Sequence, residues 1–469
     1  MAAGDDGLAT GDRAQGVPPK ESIIIPGARP GSMREVWRLA YPTTIGMLST
    51  TLMWTVDTIL LGRVGKVELA AAGFGGLIIW TLYTFFVGGV QAVNTFVSQA
   101  KGANRRRDCA VFAWQGIYLA MGGAVILGFF LWKLDWILAV ARPDEAVIHE
   151  CLRYSRVRMT GAFFVLGMFA LASFFRGIGD VKTPMMVAIL ANVINIILDA
   201  LLIFGVGPFP RLTTLGAGLA TALANLFGFT LIMILFLRPR IAAVYDSRAN
   251  RPFRPRHMLR LLRVGVPMGV QFFLDMSSFT VFMAIMGRLG TDQLAASQIG
   301  VQLLSFSFMP ASAMAKASTT LVGQYMGAGW RTLAEKCGWT VLRMNLLYSA
   351  FVAAVFFIGQ RHLFMIFNQD PAVVAAGVAI IPLLALLQIM DAVQMSYSGA
   401  LHGAGDTTFT MVAYALSSWL LFVPLALLLA YPVGWGMPGG WLGGVIHFTV
   451  LNVVLTFRFR GGTWKYRQI

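Results

Sequence analysis

Charge is scarce in this sequence. Of its 469 residues only 12% are Asp, Glu, Lys or Arg, against about 25% in a soluble globular domain. With 57% hydrophobic residues and a mean hydropathy of +0.70, too little polar side chain remains to cover a water-soluble globule. A soluble enzyme or binding module is thereby excluded. Cysteine is scarcer still: Cys109, Cys151 and Cys337 are far apart, odd in number and without CxxC spacing. Neither a disulfide framework nor a zinc site follows. Five scattered histidines (149, 257, 362, 402 and 447) argue against a metal-centred enzyme, and no cofactor is expected. Residues 1–33 lack the basic-then-apolar order of a cleavable signal peptide. They read as a disordered cytoplasmic tail, with an interfacial contact at 23–25.

Long apolar runs take up most of the remainder, together with 50 Gly and 34 Phe, both common in membrane helices. A bilayer crossing needs about 20 apolar residues. Twelve runs qualify: 37–62, 68–99, 107–138, 145–176, 183–206, 214–238, 259–287, 293–326, 332–360, 371–401, 407–431 and 436–458. The net charge of +16 comes from bases in the short segments between these runs. That placement fits loops facing anionic lipid and argues against nucleic acid. With the N-terminus inside, 25 Lys and Arg fall in inside segments and 10 in outside ones, counting Arg153, Arg156 and Arg158 as outside. Such a bias places both termini in the cytoplasm and the chain in the cell (inner) membrane as a multi-pass protein.

The chain also repeats itself. Gly62-Arg63-Val64-Gly65 returns as Gly287-Arg288-Leu289-Gly290, and Leu69-Ala70-Ala71 as Leu294-Ala295-Ala296. Pro42 matches Pro267, Gln99 matches Gln324, and Gly102-Ala103 matches Gly327-Ala328, all displaced by 225 residues. Gly177-Ile178-Gly179-Asp180 returns as Gly403-Ala404-Gly405-Asp406, displaced by 226. Six runs lie within one displacement, so the halves cross the membrane in the same sense. Parallel repeats of this kind are typical of transporters whose halves rock about a central site. The expected organisation is a tail (1–33), an N-terminal six-helix lobe (34–238), a basic linker (239–258), a C-terminal six-helix lobe (259–458) and a cytoplasmic tail (459–469).

An ionisable side chain at bilayer depth is costly and marks a functional candidate. Asp57 on the first run and Asp199 on the fifth lie about 10 Å below the outer surface at 1.5 Å per residue. Asn195 stands one turn before Asp199 on the same face, and Thr221 on the sixth run falls at similar depth. Two carboxylates, an amide and a hydroxyl at one level suit a proton or a sodium ion, because close carboxylates resist joint ionisation and oxygen ligands suit a hard cation. A purely structural hydrogen-bonded bridge between helices is the plainer alternative. The second half differs. Asp275 has Gln271 one turn before it, Asp391 has Gln394 one turn after it, and Lys316 lies on the eighth run, all near mid-membrane by residue count. These form either a static ion pair or a moving one. Thr50 and Phe282 occupy the positions that match Asp275 and Asp57, so the halves share a scaffold but not a site. Pro42 and Pro267 each remove a helical hydrogen bond early in a half and permit a bend, fixed or moving.

The stretch from Pro42 through Val56-Asp57 to Gly62, the Leu69-Ala70-Ala71 and Gln99 to Ala103 segments, Arg176 to Asp180, Gly216 to Thr221, and the second-half counterparts resemble the multidrug and toxic compound extrusion (MATE) family. The likeness runs over nearly the whole chain from about residue 34. It implies an all-α polytopic membrane protein of twelve transmembrane helices in two pseudo-symmetric six-helix lobes. It also implies antiport, with organic cations, drugs and xenobiotics leaving against inward H+ or Na+. Carried over, Asp57, Asn195, Asp199 and Thr221 match the family's N-lobe cation cluster, while Asp275 and Asp391 match its C-lobe acidic site. A sodium ion would sit at Asp57/Asp199 or at Asp275/Asp391. Asp replaces the glutamate many members carry at 275, and Lys316 adds a charge that stands in for a metal ion if it neutralises Asp275 or Asp391. The expected partners are small hydrophobic or cationic solutes and membrane lipid, with the chain a monomer.

Two other readings compete. A flippase of lipids or lipid-linked oligosaccharides from the same superfamily would need basic residues facing its cavity, where the candidates here are mostly acidic. A membrane-embedded enzyme would need Asp180 or Asp406 as a catalytic carboxylate. Their place after Gly-rich turns in both halves reads instead as a helix-terminus turn, and no nucleophile–base pair or phosphate loop accompanies them.

Overall fold

In lipid no water satisfies peptide groups, so each apolar run must close its own hydrogen bonds as a helix. The computed structural model describes residues 27–133 and 145–467. The tail expected over 1–26, with its 23–25 contact, and positions 134–138 of the third run lie outside the described residues. The first half contains α1 (Met33–Gly62), α2 (Lys66–Gly102), α3 (Arg106–Trp132), α4 (Glu145–Thr160), α5 (Ala162–Gly177), α6 (Lys182–Phe204) and α7 (Thr213–Phe236). A short α8 (Pro239–Tyr245) follows. The second half contains α9 (Pro255–Gly287), α10 (Thr291–Gly327), α11 (Arg331–Met365), α12 (Pro371–Ala404), α13 (Thr407–Ser417), α14 (Val423–Ala430) and α15 (Gly436–Arg460). Among the described residues, 11 helical stretches are long and apolar enough to span a membrane, and α4 with α5 makes a twelfth.

Two spans are broken, one with no proline at the break and the other just before Pro424. Helices α4 and α5 meet at an angle of 47° around Gly161, where an added Cβ would come within 3.3 Å of the Ala222 backbone on α7. Glycine lets the bend press against that neighbour. Between α13 and α14 lies a π-helical turn, Ser418–Phe422, at whose entrance Ser417 Oγ meets His447 Nδ1 at 2.5 Å. Pro42 and Pro267, in contrast, sit inside uninterrupted helices.

The segments flanking the spans are tied down. Lys336 Nζ donates to Pro30 O at 3.3 Å and Thr340 Oγ1 to Gly31 O at 2.8 Å. Ordered chain therefore begins before residue 33, earlier than composition led us to expect. The linker is held against α3: Trp114 Nε1 donates to Ser247 O at 2.8 Å and Tyr118 Oη to Arg251 O at 2.5 Å. After α15, Trp464 is fully buried and stacks on Phe459.

Among the described residues the apolar clusters shared by the two halves lie on one side. On the side bearing the termini, one apolar cluster combines Val36, Leu39 and Ala40 of α1 with Leu321, Tyr325 and Leu401 of the second half. A second combines first-half residues with Leu261, Val264 and Met268 of α9. On the opposite side each half has its own core, one around Phe282, Ile380 and Trp441 and one around Ile79, Leu127 and Leu166. The repeat explains the join. Gln99 Nε2 donates to Gly403 O at 2.9 Å, and its counterpart Gln324 Nε2 donates to Gly177 O at 2.7 Å. A Cβ on Gly102 would strike Gln324 O, and one on Gly327 would strike Gln99 O. Glycine at both positions permits this reciprocal approach of α2 and α10. The result is a V, closed at the termini and open at the other face.

Candidate functional site

Asp57 descends from α1 toward Asn195 and Asp199 on α6. Asn195 and Asp199 are fully buried. Asp57 Oδ1, both carboxyl oxygens of Asp199 and both amide atoms of Asn195 have no protein hydrogen-bond partner among the described residues. Buried polar atoms are nearly always paired, so five orphans in one place require explanation. The Asp57 and Asp199 carboxyl groups are adjacent. Two carboxyl oxygens bond to each other only through a proton, and no protein group supplies one. Thr221, buried on α7, gives its hydroxyl hydrogen to Ala217 O at 2.9 Å, leaving oxygen lone pairs free.

Beside this pair stands a residue the sequence placed among the outer loops. Arg158 on α4 donates to Tyr154 Oη one turn earlier and lies within electrostatic reach of Asp57 and Asp199. Its depth in the fourth run was the available signal.

In the second half, Gln271, Asp275, Lys316, Asp391 and Gln394 all line one cavity of about 140 Å³. The charge pair expected of Lys316 does not form: its Nζ lies 3.4 Å from Met47 Sδ on α1. Among the described residues no carboxylate is ion-paired with it, because α10 turns the ammonium toward the first half. His402, which we had counted among scattered histidines, lines the same cavity and bonds through Nε2 to Gln271 Oε1 at 3.3 Å and Thr410 Oγ1 at 3.1 Å. This cavity straddles the repeat axis. Gln91 and Lys316 are repeat partners, as are Asn94 and Thr319, and Arg176 and His402, and all six line it.

A larger cavity of about 330 Å³ adjoins it, walled by Pro42, Trp54, Trp80, Tyr83, Phe169 and Phe308 among others. Its charged lining is Arg158, Arg176 and Lys316, with no carboxylate. An acidic cavity was expected; the larger one is basic, because Asp57 and Asp199 face each other between helices. Asp180 and Asp406 serve the fold. Asp180 Oδ1 accepts from Thr183 N at 3.1 Å, and fully buried Asp406 pairs with Arg458 at 2.7 Å and Arg467 at 2.5 Å.

The MatE family model matches residues 42–201 and 267–428, two blocks in the register of the repeat. The chain belongs to the MatE family. It is 26% identical over 456 residues to the probable multidrug resistance protein NorM of Thermotoga maritima, covering 96% of each chain. To the multidrug resistance protein MdtK of Yersinia pestis it is 27% identical, covering 93% of this chain and 96% of the other. Among solved structures, one described as an outward-facing conformation of a multidrug resistance MATE family transporter of the MOP superfamily superposes with a TM-score of 0.84. That alignment covers 92% and 96% of the two chains at 20% identity. The chain is thus a multi-pass MATE transporter rather than an enzyme. The first matched MatE block contains Asp57, Arg158, Arg176, Asn195 and Asp199, and the second contains Asp275, Lys316 and Asp391.

Proposed function

We propose that this MATE protein is a secondary antiporter that exports drugs and other amphipathic xenobiotics across the inner membrane, driven by inward flow of a small cation through the Asp57/Asp199 site. The names of its relatives, multidrug resistance proteins NorM and MdtK, support the drug-export reading. The observation that carries the coupling reading is the adjacent, buried pair Asp57–Asp199 without a protein donor. A proton shared between the two satisfies both; sodium would need oxygens from Asn195 and Thr221 as well. The pair therefore favours the proton. Asp275 and Asp391 line the smaller cavity and offer a second cation position. Organic cations, expected as cargo from the acidic residues, have those two carboxylates to meet, whereas the larger cavity does not select them. The excess of Lys and Arg in the segments on the side of the termini supports the cytoplasmic placement of both ends. Exposed Ile358, Ile366 and Phe457 support a surface sheathed in lipid.

The basic lining also favours a second reading, flipping of lipid-linked phosphates. Proteoliposomes holding a fluorescent drug, with proton and sodium gradients imposed separately, decide among these. Proton-driven efflux by the natural chain and none by Asp57→Asn supports the proposal. Efflux under a sodium gradient alone replaces the proton by sodium, and translocation of a lipid-linked pyrophosphate without drug efflux overturns the export reading.

A further inference from the structure

Arg176 comes from α5 in the first half and Lys316 from α10 in the second, and both line both cavities. Arg176 acts on Lys316 as a like charge, and Asp275 and Asp391 line the smaller cavity with them without ion-pairing to either among the described residues. Arg176 donates to Ser173 Oγ at 3.0 Å and Lys316 touches Met47 Sδ at 3.4 Å. Among the described residues neither cation is ion-paired. Two like charges brought together in a low-dielectric cleft repel, and removing them from water is costly. The fold accepts this at the seam of its two halves. Their repeat partners, His402 and Gln91, line the smaller cavity too and supply polar atoms without a fixed charge.

We propose that Arg176 and Lys316 form an anion site on the repeat axis that holds the carboxylate or sulfonate of an aromatic amphipathic cargo, whose apolar body fills the larger cavity. The apolar body follows from the walls. Trp54 and Trp80 pack edge to face, 5.3 Å between centroids, and Phe272 and Phe308 border both cavities. A volume of about 330 Å³ is at the small end for drug-sized ligands. A bare inorganic anion would leave those walls unused. Because the two cations belong to different halves, the cargo bridges the parts that must move relative to one another. This inference rests on the export reading for its biological sense, but the site itself is testable without transport.

The test is equilibrium binding to the purified full-length chain in detergent, without any ion gradient. The probes share one aromatic body: naphthalene-2-carboxylate, its neutral carboxamide and 2-naphthylmethylammonium. The carboxylate is expected to bind about tenfold or more tighter than the carboxamide, as a charge-assisted contact gives. Arg176→Gln and Lys316→Gln should each remove that preference while leaving carboxamide binding intact, which also shows that the variants fold. Arg176→Lys should keep part of it. Tighter binding of the ammonium probe, or an unchanged carboxylate preference in both glutamine variants, overturns the site. Equal protection by chloride with no preference for naphthoate overturns the organic cargo. Naphthoate binding with no gradient-driven efflux of any probe leaves the site standing and counts against the export reading.

Discussion

The two halves of the molecule run in one register, from Gly62 and Gly287 to Gly177 and Gly403, yet they keep charge in the membrane by different means. In the first half two carboxyl groups face each other between α1 and α6, with Arg158 within electrostatic reach. In the second half Asp275 and Asp391 open into a cavity, and the half's own cation turns away from them toward Met47. A duplicated scaffold fixes helix order and the glycine seam. It leaves each half free to specialise, because a side chain pointing into a cavity is not needed for packing. Under the proposed function, the first half would hold a small cation out of reach of bulky cargo, and the second would present charge to whatever enters the V.

The sharpest way to break this comparison is to neutralise each pair in turn. Asp57→Asn with Asp199→Asn should lower gradient-driven drug efflux from proteoliposomes about a hundredfold, the upper end of coupling between two ligands. Asp275→Asn with Asp391→Asn should lower it about fivefold, the lower end. Equal losses from both pairs would erase the functional distinction between the halves.

How much of this could be read from sequence divides along physical lines. The spans were legible because burial in lipid writes itself as hydropathy, and the observed limits of α2, α6 and α10 (66–102, 182–204 and 291–327) differ by a few residues from the runs. Asp57, Asp199, Asp275 and Asp391 were legible because a carboxylate in an apolar run stands out. Arg158 and Arg176 were not. Arg158 stands among the nearby bases Arg153 and Arg156, and Arg176 ends its run, so both pass for loop residues, and a bend at Gly161 leaves no proline to announce it. His402 escaped because histidine is uncharged when buried and blends with polar neighbours. The orientation of Lys316 was beyond reach as well: residue count gives depth along a helix, whereas pairing depends on which way neighbouring helices are turned.

A smaller effect sharpens the comparison at matched positions. Asp180 and Asp406 are repeat partners, but Asp180 caps the start of α6 while Asp406 neutralises Arg458 in the last turn of α15 and Arg467 beyond it. Asp180→Ala should cost about 1 kcal/mol, as for other lost caps. Asp406→Asn should cost about 3 kcal/mol, the low end for breaking a buried ion pair, since both arginines keep some contact with water. Thermal unfolding in detergent should therefore rank Asp406→Asn well below Asp180→Ala. The reverse order would mean that the cap, and not the ion pair, holds the ends of the halves.

The smallest expected effect concerns Lys316. If its ammonium were the counter-ion of Asp391, neutralising either would leave the other uncompensated, and the double variant would recover much of the loss. Among the described residues the structure has no such pair: Lys316 Nζ lies against Met47 Sδ, while Asp391 and Asp275 line the cavity without a paired cation. Lys316→Gln and Asp391→Asn should then couple only weakly, through the cavity they both line. The interaction read from efflux kcat/KM in a double-mutant cycle should be about 0.5 kcal/mol, the low end for residues that share a cavity. A coupling of several times that size would make the second half a locked ion pair, and its cavity carboxylates would no longer be available to an entering cation.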